Sequence, residues 1–154
     1  MLTKTLTLII CMVFIMGNAM IAQDNKYIGA EKCKMCHNKP EKGDQFNKWK
    51  ASKHSKANAA TGVAGKAECE KCHAPLADFK ADGVSCEACH GAGSAYKSPT
   101  IMKDLAQAKA KGLIVPTEAT CKNCHDAGKT PKEHKAITFD FASYSTKIAH
   151  KAAK

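Results

Sequence analysis

Apolar side chains are concentrated in a few short stretches, and each stretch has its own pattern. Leu6 to Met16 is an apolar run of eleven residues, interrupted only by Thr7; one positive charge, Lys4, precedes it and Gly17-Asn18-Ala19 follows it. That is the layout of a secretory signal with a small-x-small cleavage site. The sequence therefore predicts a signal peptide over 1–22, a mature domain over 23–154, and no membrane span in the mature chain. Beyond it the apolar positions recur at helical spacing. Glu41 to Ala60 reads as one helix carrying Phe46 and Trp49. A second helix starts at Ser98-Pro99, with Pro at the first helical position, repeats Ile101, Leu105 and Ala108 on one face, and closes at Gly112. A third runs from Phe141 to Lys151 with Phe141, Tyr144 and Ile148 together. Pro116 and Pro131 punctuate the turns between them, and no strand pattern of useful length is present.

Composition changes this picture. In 154 residues, aromatic residues make up only 6%, so a protein-only core would be lean. The basic side consists of 24 Lys and no Arg, against 14 acidic residues. Without Arg the chain lacks the side chain suited to bidentate phosphate or guanine recognition, so a nucleic-acid reader is disfavoured despite the formal charge of +10. No dinucleotide or phosphate-loop motif occurs, and no Ser, Cys or acid constellation suggests catalysis.

Cysteine carries the chemistry. Of nine cysteines, Cys11 falls within the signal, and the other eight form four pairs. These are Cys33-Lys34-Met35-Cys36-His37, Cys69-Glu70-Lys71-Cys72-His73, Cys86-Glu87-Ala88-Cys89-His90 and Cys121-Lys122-Asn123-Cys124-His125. Each is C-x-x-C-H, the attachment signature of c-type haem. Two thiols add to the two vinyl groups of one porphyrin, and the next residue offers an imidazole to the iron. Disulfides or structural zinc would also use paired cysteines. Neither requires His after every pair, a coincidence of roughly four in a million at this histidine content. Four haems on about 132 mature residues would supply most of the apolar interior. The expected fold is thus mainly α with little regular secondary structure, a compact multihaem cytochrome c wrapped around four covalent haems. Short helices are expected at the motifs and a few longer ones between them. Motif starts 36, 17 and 35 residues apart suggest two halves joined through the close second and third haems.

Ligand counting sets the functional alternatives. His37, His73, His90 and His125 are the proximal candidates, leaving His54, His134 and His150 for the opposite faces. Three histidines cannot complete four irons. An iron with two strong axial ligands passes electrons, whereas an open one binds small molecules.

Three segments carry a resemblance: Tyr27-Ile28-Gly29, Trp49-Lys50-Ala51-Ser52-Lys53-His54, and Gly83-Val84-Ser85-Cys86-Glu87-Ala88-Cys89-His90-Gly91-Ala92-Gly93. With the four motifs, they make the chain resemble the tetrahaem cytochrome c-554 family, small periplasmic cytochromes that accept electrons from hydroxylamine oxidoreductase in ammonia oxidisers. The resemblance implies His54 on the haem of His125, His150 on the haem of His90, and His73 facing an open site. The chain departs from the family in one respect. The histidine that follows the family's third motif and ligates its first haem has no counterpart between Gly91 and Gly112. Met102 and His134 are the candidate substitutes.

Removal of the signal leaves 23 Lys and 14 acids, a formal +9, from which four haems subtract about eight propionate charges and return about four as ferric cores. Lys48, Lys50, Lys53 and Lys56 could form a patch that steers an acidic redox partner, such as a multihaem oxidoreductase or a quinol-linked cytochrome. The expectation is a periplasmic electron carrier. The alternatives are a haem enzyme acting on a small nitrogen or oxygen species, and a subunit of a larger multihaem assembly.

Overall fold

A C-x-x-C-H segment wound as a helix places its two thiols and its imidazole at i, i+3 and i+4, on one side of the backbone. The computed structural model, which describes residues 24–60, 62–131, 134 and 138–150, has this form at three of the four motifs. Helix α1 (Ala30–His37) carries the first, α3 (Ala67–His73) the second and α4 (Cys86–His90) the third. The fourth begins on Cys121, the last residue of α7 (Glu118–Cys121), and continues as a turn closed by the His125 N–H donating to the Cys121 carbonyl at 2.9 Å. Between the motifs lie α2 (Gln45–Ala51), α5 (Pro99–Met102) and α6 (Leu105–Ala110), and α8 (Phe141–Ile148) follows the fourth. Tight 3-10 turns at Pro40–Lys42, His54–Ala59, Ala77–Asp82, Gly93–Ala95 and Ala127–Lys129 connect them. The described residues are mainly helical and contain no strand.

The longer helices expected between motifs are broken into shorter ones. The Glu41 to Ala60 helix is interrupted at both ends. Asp44 takes a left-handed φ of 54° before α2, and Ser52 leaves α2 in extended conformation with its hydroxyl on the Trp49 carbonyl. The Ser98 to Gly112 helix is two helices, because the Asp104 carboxylate accepts from the Ala106 and Gln107 N–H groups and starts α6 afresh. Pro99 does occupy the first turn of α5. In α8 the Asp140 side chain caps Ser143, and the helix covers Phe141–Ile148, Lys151 lying outside the described residues. Residues 1–22, for which the sequence predicts a signal peptide, also lie outside them. No described helix is long and apolar enough to cross a membrane.

The three segments that carry the family resemblance meet in one place. The Trp49 indole N–H donates to the Val84 carbonyl at 2.8 Å, and the Val84 N–H donates to the His54 carbonyl at 2.9 Å. The Ile28 and Gly29 N–H groups donate to the Glu87 carboxylate. Ala30, Phe46 and Trp49 form the buried cluster beneath, with Cys86 packed against it and the Phe46 and Trp49 rings 5.3 Å apart. Gly83, at φ 63°, lets the chain pass His54, since a Cβ there would stand 2.6 Å from the His54 carbonyl oxygen. Among the described residues the remaining buried apolar side chains are Val63, Ala74, Leu76, Tyr96 and Ala108.

Candidate functional site

The histidines occur in opposed pairs. The rings of His54 and His125 have centroids 6.0 Å apart, those of His90 and His150 5.9 Å, and those of His73 and His134 5.8 Å. Each pair joins one motif histidine to one histidine outside the motifs. A ligating imidazole nitrogen sits about 2 Å from its metal, and the ring centroid about 1 Å behind the nitrogen. Two rings on opposite sides of one metal therefore have centroids about 6 Å apart, with any twist about the shared axis. The ring planes of the pairs are inclined at 43°, 61° and 69°, which such an arrangement allows.

Several of these rings are held with one particular nitrogen free. The Nδ1 of His73 lies 3.0 Å from the Ala57 carbonyl, that of His90 3.0 Å from the Ile114 carbonyl, and that of His150 2.8 Å from the Ile148 carbonyl. A carbonyl only accepts, so Nδ1 carries the proton and Nε2 presents its lone pair. His37 is held in the same sense by the Gln45 Oε1 at 3.4 Å. This is the outer support that metal-ligating histidines use. His125 is instead backed by the Phe139 ring, stacked at 4.9 Å and 12°. Burial holds His54, His90 and His125 below the ordinary histidine range, and the facing His125 and His150 rings add to the effect on His54 and His90. Neutral imidazole is the ligating form.

The eight thiols are half-buried and unbridged, and they are neighbours in an order different from that of the sequence. Cys86 and Cys33 are neighbours; their interaction holds Cys33 low and, with burial, pushes Cys86 up. Cys124 is pushed up to about 12 by burial and by neighbouring Cys72, with Cys89 adding to it. Burial, with Cys121 nearby, likewise pushes Cys89 up. The first motif thus adjoins the third, the second adjoins the fourth, and the third adjoins the fourth. The contact between the helices of the first and third motifs runs across the two halves that the spacing suggested.

Of the residues singled out from sequence, the His54 ring lies beside that of His125 and the His150 ring beside that of His90. His134, considered for the first motif, instead faces His73, the histidine that the resemblance left with an open side. Among the described residues His37 has no paired imidazole, and Met102 is half-buried at the end of α5. No three His, Cys, Asp or Glu side chains among the described residues converge as a metal cage. Sequence reasoning passed over Glu87 and Gln45, whose polar identity at helix positions reads as solvated surface.

No family model, curated protein or solved structure matches the chain.

Proposed function

We propose that the chain is an exported tetrahaem c-type cytochrome that carries electrons between redox partners in the periplasm. The observation that carries this reading is the set of three opposed imidazole pairs at 5.8 to 6.0 Å, each containing the histidine of one C-x-x-C-H motif. A tetrahedral zinc site offers no reason for two rings to stand at that separation with no third ligand between them. The residues fit four haems. Cys33 and Cys36, Cys69 and Cys72, Cys86 and Cys89, and Cys121 and Cys124 would tether them. His37, His73, His90 and His125 would take the near faces, and His134, His150 and His54 the far faces of the second, third and fourth. Bound haem iron supplies one-electron redox chemistry. The chain's own contribution is to fix ring orientation through the Nδ1 contacts and to bring the first and third motifs together where their helices meet.

The seven histidines of the sequence are then fully assigned, so the first site is completed by Met102, by another group or by an external ligand. The unpaired His37 gives the second reading its one supporting observation: a haem enzyme acting on a small nitrogen or oxygen species would use this site. The likeness to the cytochrome c-554 family belongs to this proposal as well, with the non-histidine position moved from the second motif to the first.

Intact mass of the exported protein tests the proposal. A mature chain heavier than its peptide by four haem units is the expected result. Recovery of zinc, or of disulfides without haem, overturns it.

A further inference from the structure

Glu87 lies between the two cysteines of the third motif, yet it is only 2% exposed. Its carboxylate accepts from the Gly93 N–H at 2.7 Å, the Gly29 N–H at 2.8 Å and the Ile28 N–H at 3.0 Å. Every partner is a backbone donor, which is the bonding pattern of an ionised carboxylate. The Asp82 carboxylate, half-buried nearby, accepts from the Ala30 N–H at 3.1 Å. Among the described residues the ion pairs are Lys34–Glu31, Lys80–Glu70 and Lys122–Glu118, so neither Glu87 nor Asp82 is neutralised by a lysine. In a chain with 24 lysines that is an unusual place to leave two anions. Both sit where α1 meets α4, which brings Cys33 of the first motif to Cys86 of the third. The field of Glu87 reaches both thiols and Tyr96, opposing ionisation of each, and that of Asp82 reaches Cys33.

We propose that Glu87, assisted by Asp82, is an electrostatic tuning residue that lowers the reduction potentials of the haems on the first and third motifs relative to those on the second and fourth. Ferric haem carries one more positive charge than ferrous, so a fixed anion beside it favours the oxidised state. A unit charge within about 10 Å, at the effective permittivity of a protein near its surface, changes a one-electron equilibrium about tenfold. Electrons entering the first-third pair would then pass toward the fourth and second sites. The backbone bonds to Glu87 keep the charge in place where a flexible surface acid would be screened.

The inference rests on the tetrahaem reading, and the test separates the two. The protein is the exported holoprotein, its haem count fixed by mass, and each haem is followed through a redox titration by its NMR methyl resonances. Glu87→Gln should favour reduction of the first and third haems about tenfold, about 59 mV for one electron, with the other two changed much less. Glu87→Asp keeps the charge and should restore the wild-type potentials even where it lowers thermal stability, which a purely structural role would not predict. Equal shifts at all four haems, identical shifts in the Gln and Asp variants, or no shift overturns the inference. If Glu87→Gln does not mature, Asp82→Asn decides. A smaller shift toward reduction, confined to the same two haems, supports the proposal, and none overturns it. Loss of haem from the wild-type protein would instead overturn the tetrahaem reading itself.

Discussion

The ring of His134 stands 5.8 Å from the ring of His73, centroid to centroid, although His134 is exposed and stands between Lys132 and Lys135 in the sequence. The pairing accounts for the second motif and makes His134 a ligand candidate in spite of its surroundings. His134→Ala should therefore convert one haem from low-spin to high-spin, while His134→Met should keep it low-spin and raise its potential. Ferric absorption and EPR spectra provide the check; an unchanged spectrum in the alanine variant would remove His134 from the ligand set.

On the tetrahaem proposal, placing His134 at the second site leaves one iron, that of the first motif, without a second histidine. Cyanide or nitric oxide added to the wild-type protein should perturb one haem, that of Cys33 and Cys36, and leave the three bis-His haems alone. If the Met102 thioether completes that iron, Met102→Ala should raise the high-spin fraction and speed ligand binding, and Met102→His should lower that haem's potential. Perturbation of the second haem instead would return the open position to where the family resemblance put it.

Gly83→Ala should be among the costliest single substitutions in the chain. Its φ of 63° disfavours a side chain, and the new Cβ would stand 2.6 Å from the His54 carbonyl. The cost is expected at about 3 kcal/mol or more, and because the Val84 N–H to His54 bond is in the way, His54 should be displaced from His125. Gly65→Ala is the control: φ is 79° but nothing lies within 4 Å, so about 1 kcal/mol is expected. Denaturant unfolding gives the stabilities, and the spin state reports on His54.

Asp104 sets an acid limit on α6. Its carboxyl is held below the ordinary value of 3.8 by the backbone N–H of Gln107, with the Gln107 side chain and the Ala106 N–H adding to it. A depressed folded value means that the capping contribution is complete above 3.8 and is lost as pH falls through the folded value. Asp104→Asn, which keeps a capping oxygen without the charge, should remove that part of the acid transition. Helical circular dichroism between neutral and strongly acidic pH, compared for the two proteins, is the measurement.

What was legible in the sequence was local. The i, i+3, i+4 geometry of Cys33, Cys36 and His37 needs only one helical turn, so the motif and its structure follow from the same five residues. The break at Asp104 was also readable, because Asp104 followed by Gln107 three residues on is a capping signature that the continuous apolar face of Ile101, Leu105 and Ala108 overshadowed. Asp44 is different: nothing in its neighbourhood announces a left-handed backbone. The facing of His73 by His134 is a long-range contact through a polar stretch without period, and no pattern in the chain encodes it. Glu87 was invisible for a related reason, since its burial depends on Ile28, Gly29 and Gly93 arriving from elsewhere.

The neighbour order of the thiols bears on how such a chain is made. Cys33 has its neighbour in Cys86, and Cys72 has its own in Cys124. Each of these contacts joins segments far apart in the sequence, so neither is present until the later segment is made. A chain stopped before Cys86 would lack the partner of Cys33, and one stopped before Cys124 would lack the partner of Cys72. The motif segments are woven rather than strung, so shortening the chain from its C-terminal side strips contacts from motifs near its start.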